Sequence, residues 1–283
     1  MNIGMQNVII GSQALNANSS GNFIVAIGYQ SSYNSITSNT VAVGFQSLFS
    51  NTSGQNNNAF GFQSLYSNTV GNDNIAVGTT ALYYTKGGQN IGIGNYSLQG
   101  TVANTVNNNI AVGHQSLNKL TSSSNNNIAI GTQSQFSNTS GLSNVASGNQ
   151  SLFTNSIGNN NTAYGTSSLN LNTVSNNTAI GYQSMNTVSS GGNNTALGYN
   201  TGITNTTGSN NTYIGYQSNA NASVYGNSTA LGYSSTITAS NQIVLATTKA
   251  PTPDPVAVVV LGILTYSAVV PNTIWLLAVI VEL

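Results

Sequence analysis

The nonapeptide NTAIGYQSM at 177–185 has close copies along most of the chain. NIAVGHQSL stands at 109–117, NIAIGTQSQ at 127–135, NTALGYNTG at 194–202 and NTYIGYQSN at 211–219. The central glycines are Gly11, Gly28, Gly44, Gly61, Gly78, Gly94, Gly113, Gly131, Gly148, Gly165, Gly181, Gly198, Gly215 and Gly232, which makes 14 units spaced 16 to 19 residues apart, mostly 17. A period this regular fixes the architecture before any single residue does, because each unit is one short supersecondary element stacked on its neighbours.

The slots of the unit, counted from the glycine, read as a strand followed by a turn. The residue before the glycine is Ile, Val, Leu or Phe in 12 copies, Ser147 and Tyr164 being the exceptions. Two residues further back stands Val or Ile as far as Val145, Asn58 excepted, and then Thr162, Thr178, Thr195, Thr212 and Thr229. Between these slots lies Ala in 11 copies. Alternation with β-branched residues predicts a short strand. The glycine ends it, where the backbone needs a positive φ or another chain segment approaches closely. A second short strand is expected over x-Q-S-L, and the remaining Asn, Thr, Ser and Gly are turn chemistry. One unit cannot bury its own apolar edge, so like residues are expected to pile up along an axis, Ile on Ile and Leu on Leu. Thr in the later copies shares a face with Ile180 and Ile214, which is expected to look inward. Asn four residues before the glycine and Gln two after it are expected to form amide ladders.

The V-A-I-G units (Val25-Ala26-Ile27-Gly28 and Ile128-Ala129-Ile130-Gly131) resemble the head repeat of the trimeric autotransporter adhesins, the YadA-like left-handed parallel β-roll. Similar N-T-A-I-G-Y-Q-S-L arrays resemble phage and giant-virus fibre heads. The resemblance covers about residues 1–246 and implies a homotrimer used for surface attachment, at a cell or virion surface or otherwise outside the cell. At about 17 residues the present unit is longer than the family's, so larger turns are expected. The sequence carries no coiled-coil stalk and no C-terminal membrane β-barrel, so the autotransporter secretion route is not implied.

The expected fold is therefore all-β: a parallel β-roll or β-solenoid of about 14 rungs over 1–246, a proline-rich connector at 247–255 and a short apolar C-terminal β segment at 256–283. NQIVLA at 241–246 reads as the end of the array, because Ala246 occupies the glycine slot. The last segment, VAVVVLGILTYSAVV followed by PNT and IWLLAVIVEL, is rich in β-branched residues and is interrupted by Pro271. It reads as two buried strands that assemble the particle through Val256, Val258, Val260, Ile263, Ile274, Trp275, Leu277 and Val279. The alternative is a membrane or lipid anchor, for which the run is long enough but broken. MNIGMQNVII has no basic n-region, so no signal peptide is expected.

Charge removes several function classes. Only Lys86, Lys119, Lys249, Asp73, Asp254 and Glu282 are charged, 2% of the chain. Nucleic-acid binding needs a basic stripe that is not there. No cofactor, metal site or catalytic set is expected: Cys is absent, His114 is the one histidine, and the acids lie far apart in sequence. An uncharged surface also lacks the usual protection against association, so the chain's expected partner is itself, as a trimer, a fibre or an end-to-end filament. Two binding features stand out. Tyr182, Tyr199, Tyr216 and Tyr233 follow their glycines and form an aromatic ladder, either a glycan-stacking surface or a packing one. N-x-S/T sequons at Asn51, Asn138, Asn160, Asn176, Asn193, Asn210 and Asn227 are candidate glycan acceptors, though an Asn- and Thr-rich repeat generates such triplets by chance. The leading functional expectation is a non-enzymatic structural fibre or adhesin-head protein that attaches to glycan surfaces; the alternative is an ice- or polysaccharide-binding β-solenoid.

Overall fold

A computed structural model describes residues 4–101, 104–121, 124–245 and 260–262. The chain forms a parallel β-solenoid. Strands β1 (Val8–Ile10), β2 (Ile24–Ile27) and their successors to β13 (Thr212–Ile214) stack in sequence order, one per rung. The sheet continues through β15 (Thr229–Leu231) and β17 (Gln242–Leu245), each parallel to the strand before it. Like slots pair with like: Ala179 lies between Ala163 and Ala196, and Thr178 between Thr162 and Thr195. The 17-residue period is thus one turn of the coil, and each turn advances by roughly 4.8 Å, the ordinary strand spacing. Among the described residues there is no helix.

The glycine slot meets both conditions expected of it. Gly181 has φ +132°, and a Cβ there would lie 2.1 Å from the Gly198 carbonyl oxygen of the next rung. No other residue type fits a column in which successive backbones touch.

Two expectations need correction. The inward face of the sheet is the alanine face, not the Ile/Val face. Ala129, Ala179 and Ala196 are fully buried, whereas Ile130, Ile180 and Leu197 point out and are about two-fifths exposed (44%, 38% and 46%). Thr162, Thr178, Thr195, Thr212 and Thr229 share the outward face with them. The reason is the width of the interior. The Leu four residues after each glycine projects inward and lies against the small slot of the following rung. At Gly92, an added Cβ would already stand 2.3 Å from Leu82 Cδ1. The gap is thus closed to a methyl at Gly92 and holds no more than the alanine methyl in most other rungs, so the larger β-branched side chains take the outer face. The expected leucine column is correct: Leu48, Leu65, Leu117 and Leu152 are fully buried. One rung inverts the sizes. Tyr213 fills the alanine slot, and Gly202 replaces the leucine beneath it; a Cβ on Gly202 would meet the Tyr213 ring at 3.0 Å. Volume is conserved by exchanging which partner is large.

The second correction concerns x-Q-S-L. In most rungs it is a turn, not a strand. The Gln and Leu slots have positive φ, as at Gln46 (49°), Leu48 (52°), Gln63 (50°) and Leu65 (51°). Left-handed conformations cost non-glycine residues roughly 1 kcal/mol or more each. Here the cost is offset by rung-to-rung bonding. Gln46 N donates to the Tyr29 carbonyl of the rung before, and Leu48 N to the Ser64 carbonyl of the rung after. Only where Asn219 and Thr236 replace Leu does the segment extend, as β14 (Asn219–Ala220) and β16 (Thr236–Ile237), a separate two-stranded parallel sheet.

The interior is held by amides as much as by apolar packing. Asn144, buried, donates Nδ2–H to the Asn127 Oδ1 (3.2 Å) and to the Gly158 carbonyl (2.8 Å), while its Oδ1 accepts from Asn161 N and Nδ2. The same pattern repeats at Asn74, Asn90, Asn109 and Asn127, and at Asn161 the side-chain oxygen accepts from Asn177 N alone. A second buried column closes the turns: Asn51 Oδ1 accepts from Gly54 N, and Asn51 Nδ2 donates to Gly54 O. A third, outer ladder joins Gln13, Gln30, Gln46 and Gln63. Buried polar groups are affordable here because the stack satisfies nearly all of them.

Beyond β17 the description is short. β18 (Val260–Gly262) pairs antiparallel with β17, so the backbone at Val260 extends the sheet as a strand. Connector residues 247–255, and Val256, Val258, Ile263, Ile274, Trp275, Leu277 and Val279 of the expected assembly segment, lie outside the described residues, as does Ala246.

Candidate functional site

The outward sheet face is built from the three slots that flank the central glycine on the solvent side. Strand alternation sends the residues three before and one before it outward, and the aromatic slot just after it continues the same face. Ile10, Phe60, Ile93, Ile130, Ile180 and Leu197 are exposed along one rank. No charged residue occupies these slots; His114 is the one titratable side chain other than tyrosine among them, and it meets Tyr96 edge-on at 5.9 Å.

The structure brings Tyr182, Tyr199, Tyr216 and Tyr233 together on this face. Consecutive ring centroids are 5.4, 5.2 and 5.3 Å apart, with interplanar angles of 12°, 8° and 5°. Tyr29, Phe45 and Phe62 form a like column near the other end. Stacking places both faces of Tyr199 and Tyr216 against neighbouring rings, leaving edges and hydroxyls toward solvent. A sugar meeting the middle of the ladder meets ring edges and phenol oxygens, not a ring face.

Reading the sequence missed a second aromatic column, five residues after the glycine. Tyr33, Phe49, Tyr66 and Tyr83 stack at 5.0 to 5.1 Å, and Phe136 stacks on Phe153 at 5.3 Å. The signal was in the spacing but was scattered among Asn and Gln in the same slot. Lys119 Nζ sits 4.6 Å from the Phe136 ring centre, a cation–π contact. Burial, and then the neighbouring phenols Tyr66 and Tyr84, raise the Tyr83 pKa above its ordinary value. Tyr213 is raised much further by burial alone, and its hydroxyl has no hydrogen-bond partner.

The sequons sort into two sets. Asn51 and Asn138 are fully buried in the turn-closing column and use their amides on Gly54 and Gly141. Asn160, Asn176, Asn193, Asn210 and Asn227 are exposed and aligned, with φ between 57° and 65°. Asn tolerates that left-handed backbone, which explains the residue without a glycan. Among the described residues no group of three or more His, Cys, Asp or Glu is placed to hold a metal ion.

Fold and face together define a β-solenoid repeat protein with a long apolar surface. No family model matches the chain, and no curated protein matches it.

Proposed function

We propose that this chain is a non-enzymatic structural fibre or adhesin-head protein that self-associates as a homotrimer, joins end to end into filaments, and attaches to glycan surfaces outside the cell or on a virion. The observation that carries the reading is the outward apolar face. Fourteen rungs give a strip about 65 Å long and, over five residues of strand, about 16 Å wide, so roughly 1,000 Å², with apolar or tyrosine side chains in two-thirds of its outward slots. Exposed apolar patches on monomers reach about 300–600 Å², whereas a standard interface buries about 800 Å² on each partner. The strip carries no charge to oppose a like surface, so further copies of the same chain are fitting partners.

The test is to place carboxylates on the face while leaving the interior intact. Ile93→Asp, Ile130→Asp and Ile180→Asp are combined, and mass is measured by sedimentation equilibrium beside far-UV circular dichroism. The wild type should sediment as three chains or a multiple of three and the variant as one, with an unchanged β spectrum. A monomeric wild type, or a variant of undiminished mass, refutes the self-association.

A second reading has its own support. Thr162, Thr178, Thr195, Thr212 and Thr229 line up in register on the outward face. A flat rank of hydroxyls and methyls at strand spacing suits an ordered lattice such as ice or a crystalline polysaccharide. Inhibition of ice recrystallisation, abolished by Thr195→Lys, would favour this reading over the first.

A further inference from the structure

The period of the array lengthens at one place. The step from Gly94 to Gly113 is 19 residues and the next is 18, the two longest in the chain. In the first of these steps the described stretch 104–108 lies beside the preceding rung. It is tied down by the Thr85–Asn104 bridge and by Gly88 N donating to Asn107 Oδ1 at 2.8 Å. Between this stretch and its neighbours lies a concavity of about 380 Å³, lined by Val70, Asn72, Asp73, Lys86, Gln89 and Asn107 among others. That volume falls within the roughly 300–1,000 Å³ of ordinary ligand sites. Insertions in repeat proteins also tend to gather on a binding face.

The lining is chemically singular for this chain. Of its six charged residues, two line this one concavity, and they are of opposite sign. They do not form an ion pair with each other. Asp73 Oδ1 accepts from Asn56 Nδ2 at 2.9 Å, and Oδ2 has no partner in the described chain. The Lys86 ammonium is likewise unengaged; only its backbone N–H bonds, to Asn104 O. The side-chain amide of Gln89 is unengaged, and Asn72 uses its Oδ1 on Gln55 N but not its Nδ2. Three unused donor groups and a free carboxylate oxygen therefore belong to residues that line one solvent-facing hollow.

We propose that this concavity is a carbohydrate site that takes one neutral hexose unit of a glycan; it rests on the glycan-attachment part of the function above. One charge of each sign in the lining gives the hollow no net charge with which to favour an anion or a cation. An anionic sugar would meet Asp73, and a cationic one Lys86. An amino-acid zwitterion would satisfy the two charges and leave the Asn72 and Gln89 amides idle. A ring with hydroxyls on successive carbons offers donors to Asp73 Oδ2 and acceptors to Lys86, Asn72 and Gln89 together. A single such site is weak, and three copies in one particle would supply avidity.

Saturation-transfer NMR on the full chain, with neutral hexose oligosaccharides, glucuronate and glycine as probes, tests the assignment. The neutral oligosaccharides alone should bind at millimolar concentration. Asp73→Asn and Lys86→Gln, each nearly isosteric, should weaken binding by roughly tenfold (1.4 kcal/mol). Tyr199→Ser with Tyr216→Ser should leave it unchanged. If the tyrosine pair abolishes binding and the Asp73 and Lys86 variants do not, the site is overturned while glycan attachment stands. Preference for glucuronate or glycine overturns the ligand class. No binding by the wild type overturns both the site and glycan attachment, leaving self-association untouched.

Discussion

Asn144→Asp changes one nitrogen for one oxygen at the centre of the buried amide column. Its consequence follows from the hydrogen-bond directions. Asn144 Nδ2 supplies two protons, to Asn127 Oδ1 and to the Gly158 carbonyl. A carboxylate supplies none and turns an oxygen toward both acceptors. Each buried group deprived of its partner costs about 1–3 kcal/mol, so the pair costs about 2–6 kcal/mol. That is a large share of the roughly 5–15 kcal/mol that holds an ordinary domain. The penalty depends on pH. Burial opposite two carbonyl oxygens favours the protonated acid, so its folded pKa lies above the unfolded value of about 3.9. Above that unfolded value the folded state binds more protons than the unfolded one, and stability falls as pH rises through the folded pKa. Below it, the carboxylic acid returns one donated proton and recovers about 1–3 kcal/mol. Urea unfolding followed by circular dichroism between pH 3 and 7, expressed as the difference from wild type, measures this. Asn210→Asp is the control, in the exposed turn slot five residues before the glycine that Asp73 already occupies in its own rung. It should change stability by less than about 0.5 kcal/mol. Equal stability of the two variants at pH 7, or a penalty for Asn144→Asp that fails to shrink in acid, would show that the column does not carry the load assigned to it.

Other substitutions probe other parts of the coil. Tyr213→Phe removes a buried hydroxyl without a partner and should stabilise by about 1 kcal/mol, read from the unfolding midpoint. Gly202→Leu should destabilise by about 1–3 kcal/mol through overpacking, and Tyr213→Ala in the same chain should restore most of it; additive effects in that double-mutant cycle would contradict the size exchange. Ala179→Leu should cost about 1–3 kcal/mol, whereas Ile180→Thr, one residue on and facing outward, should cost under about 1 kcal/mol; the reverse order in thermal melts would restore the Ile-inward arrangement.

The rung count, the strand positions, the parallel register and the need for glycine were legible because each depends on period alone. Which face points inward was not. Alternation defines two faces and does not say which is buried, and the default assignment of Ile and Val to the interior failed because the gap is one methyl deep. A sign of this was present. The alanine slot is nearly invariant, while the slot beside it accepts Ile130, Phe60, Ser147 and Tyr164, and a tight space tolerates less variety than an open one. The Leu turn was misread for a different reason: nothing about Leu48 or Leu65 signals a left-handed backbone, which the stack imposes and its bonds maintain. Of the candidate site residues, the tyrosine ladder could be placed from spacing. The Asp73–Lys86 hollow could not, because it arises from a loop inserted at a distance in sequence.

The buried asparagine column and the outer glutamine ladder point one way, while the exposed ladder of Asn56, Asn160, Asn210 and Asn227, out in solvent, donates the other way. At every step from Asn57 to Asn161 the later side chain gives one N–H to the side-chain oxygen of the earlier rung and its own oxygen to the next, its second N–H going to a backbone carbonyl of the following rung, and the outer glutamines repeat the side-chain link. Strand dipoles in a sheet largely cancel, but these add, as peptide units do in a helix. In a rod of formal net charge +0 the buried column and the glutamine ladder therefore contribute a polarity, positive toward the first rung and negative toward the last. Rods laid side by side lower their field energy by alternating direction, and rods joined head to tail lower it by keeping direction. A bundle with all chains aligned works against that field, so the cohesion of such a bundle has to come from its apolar flanks.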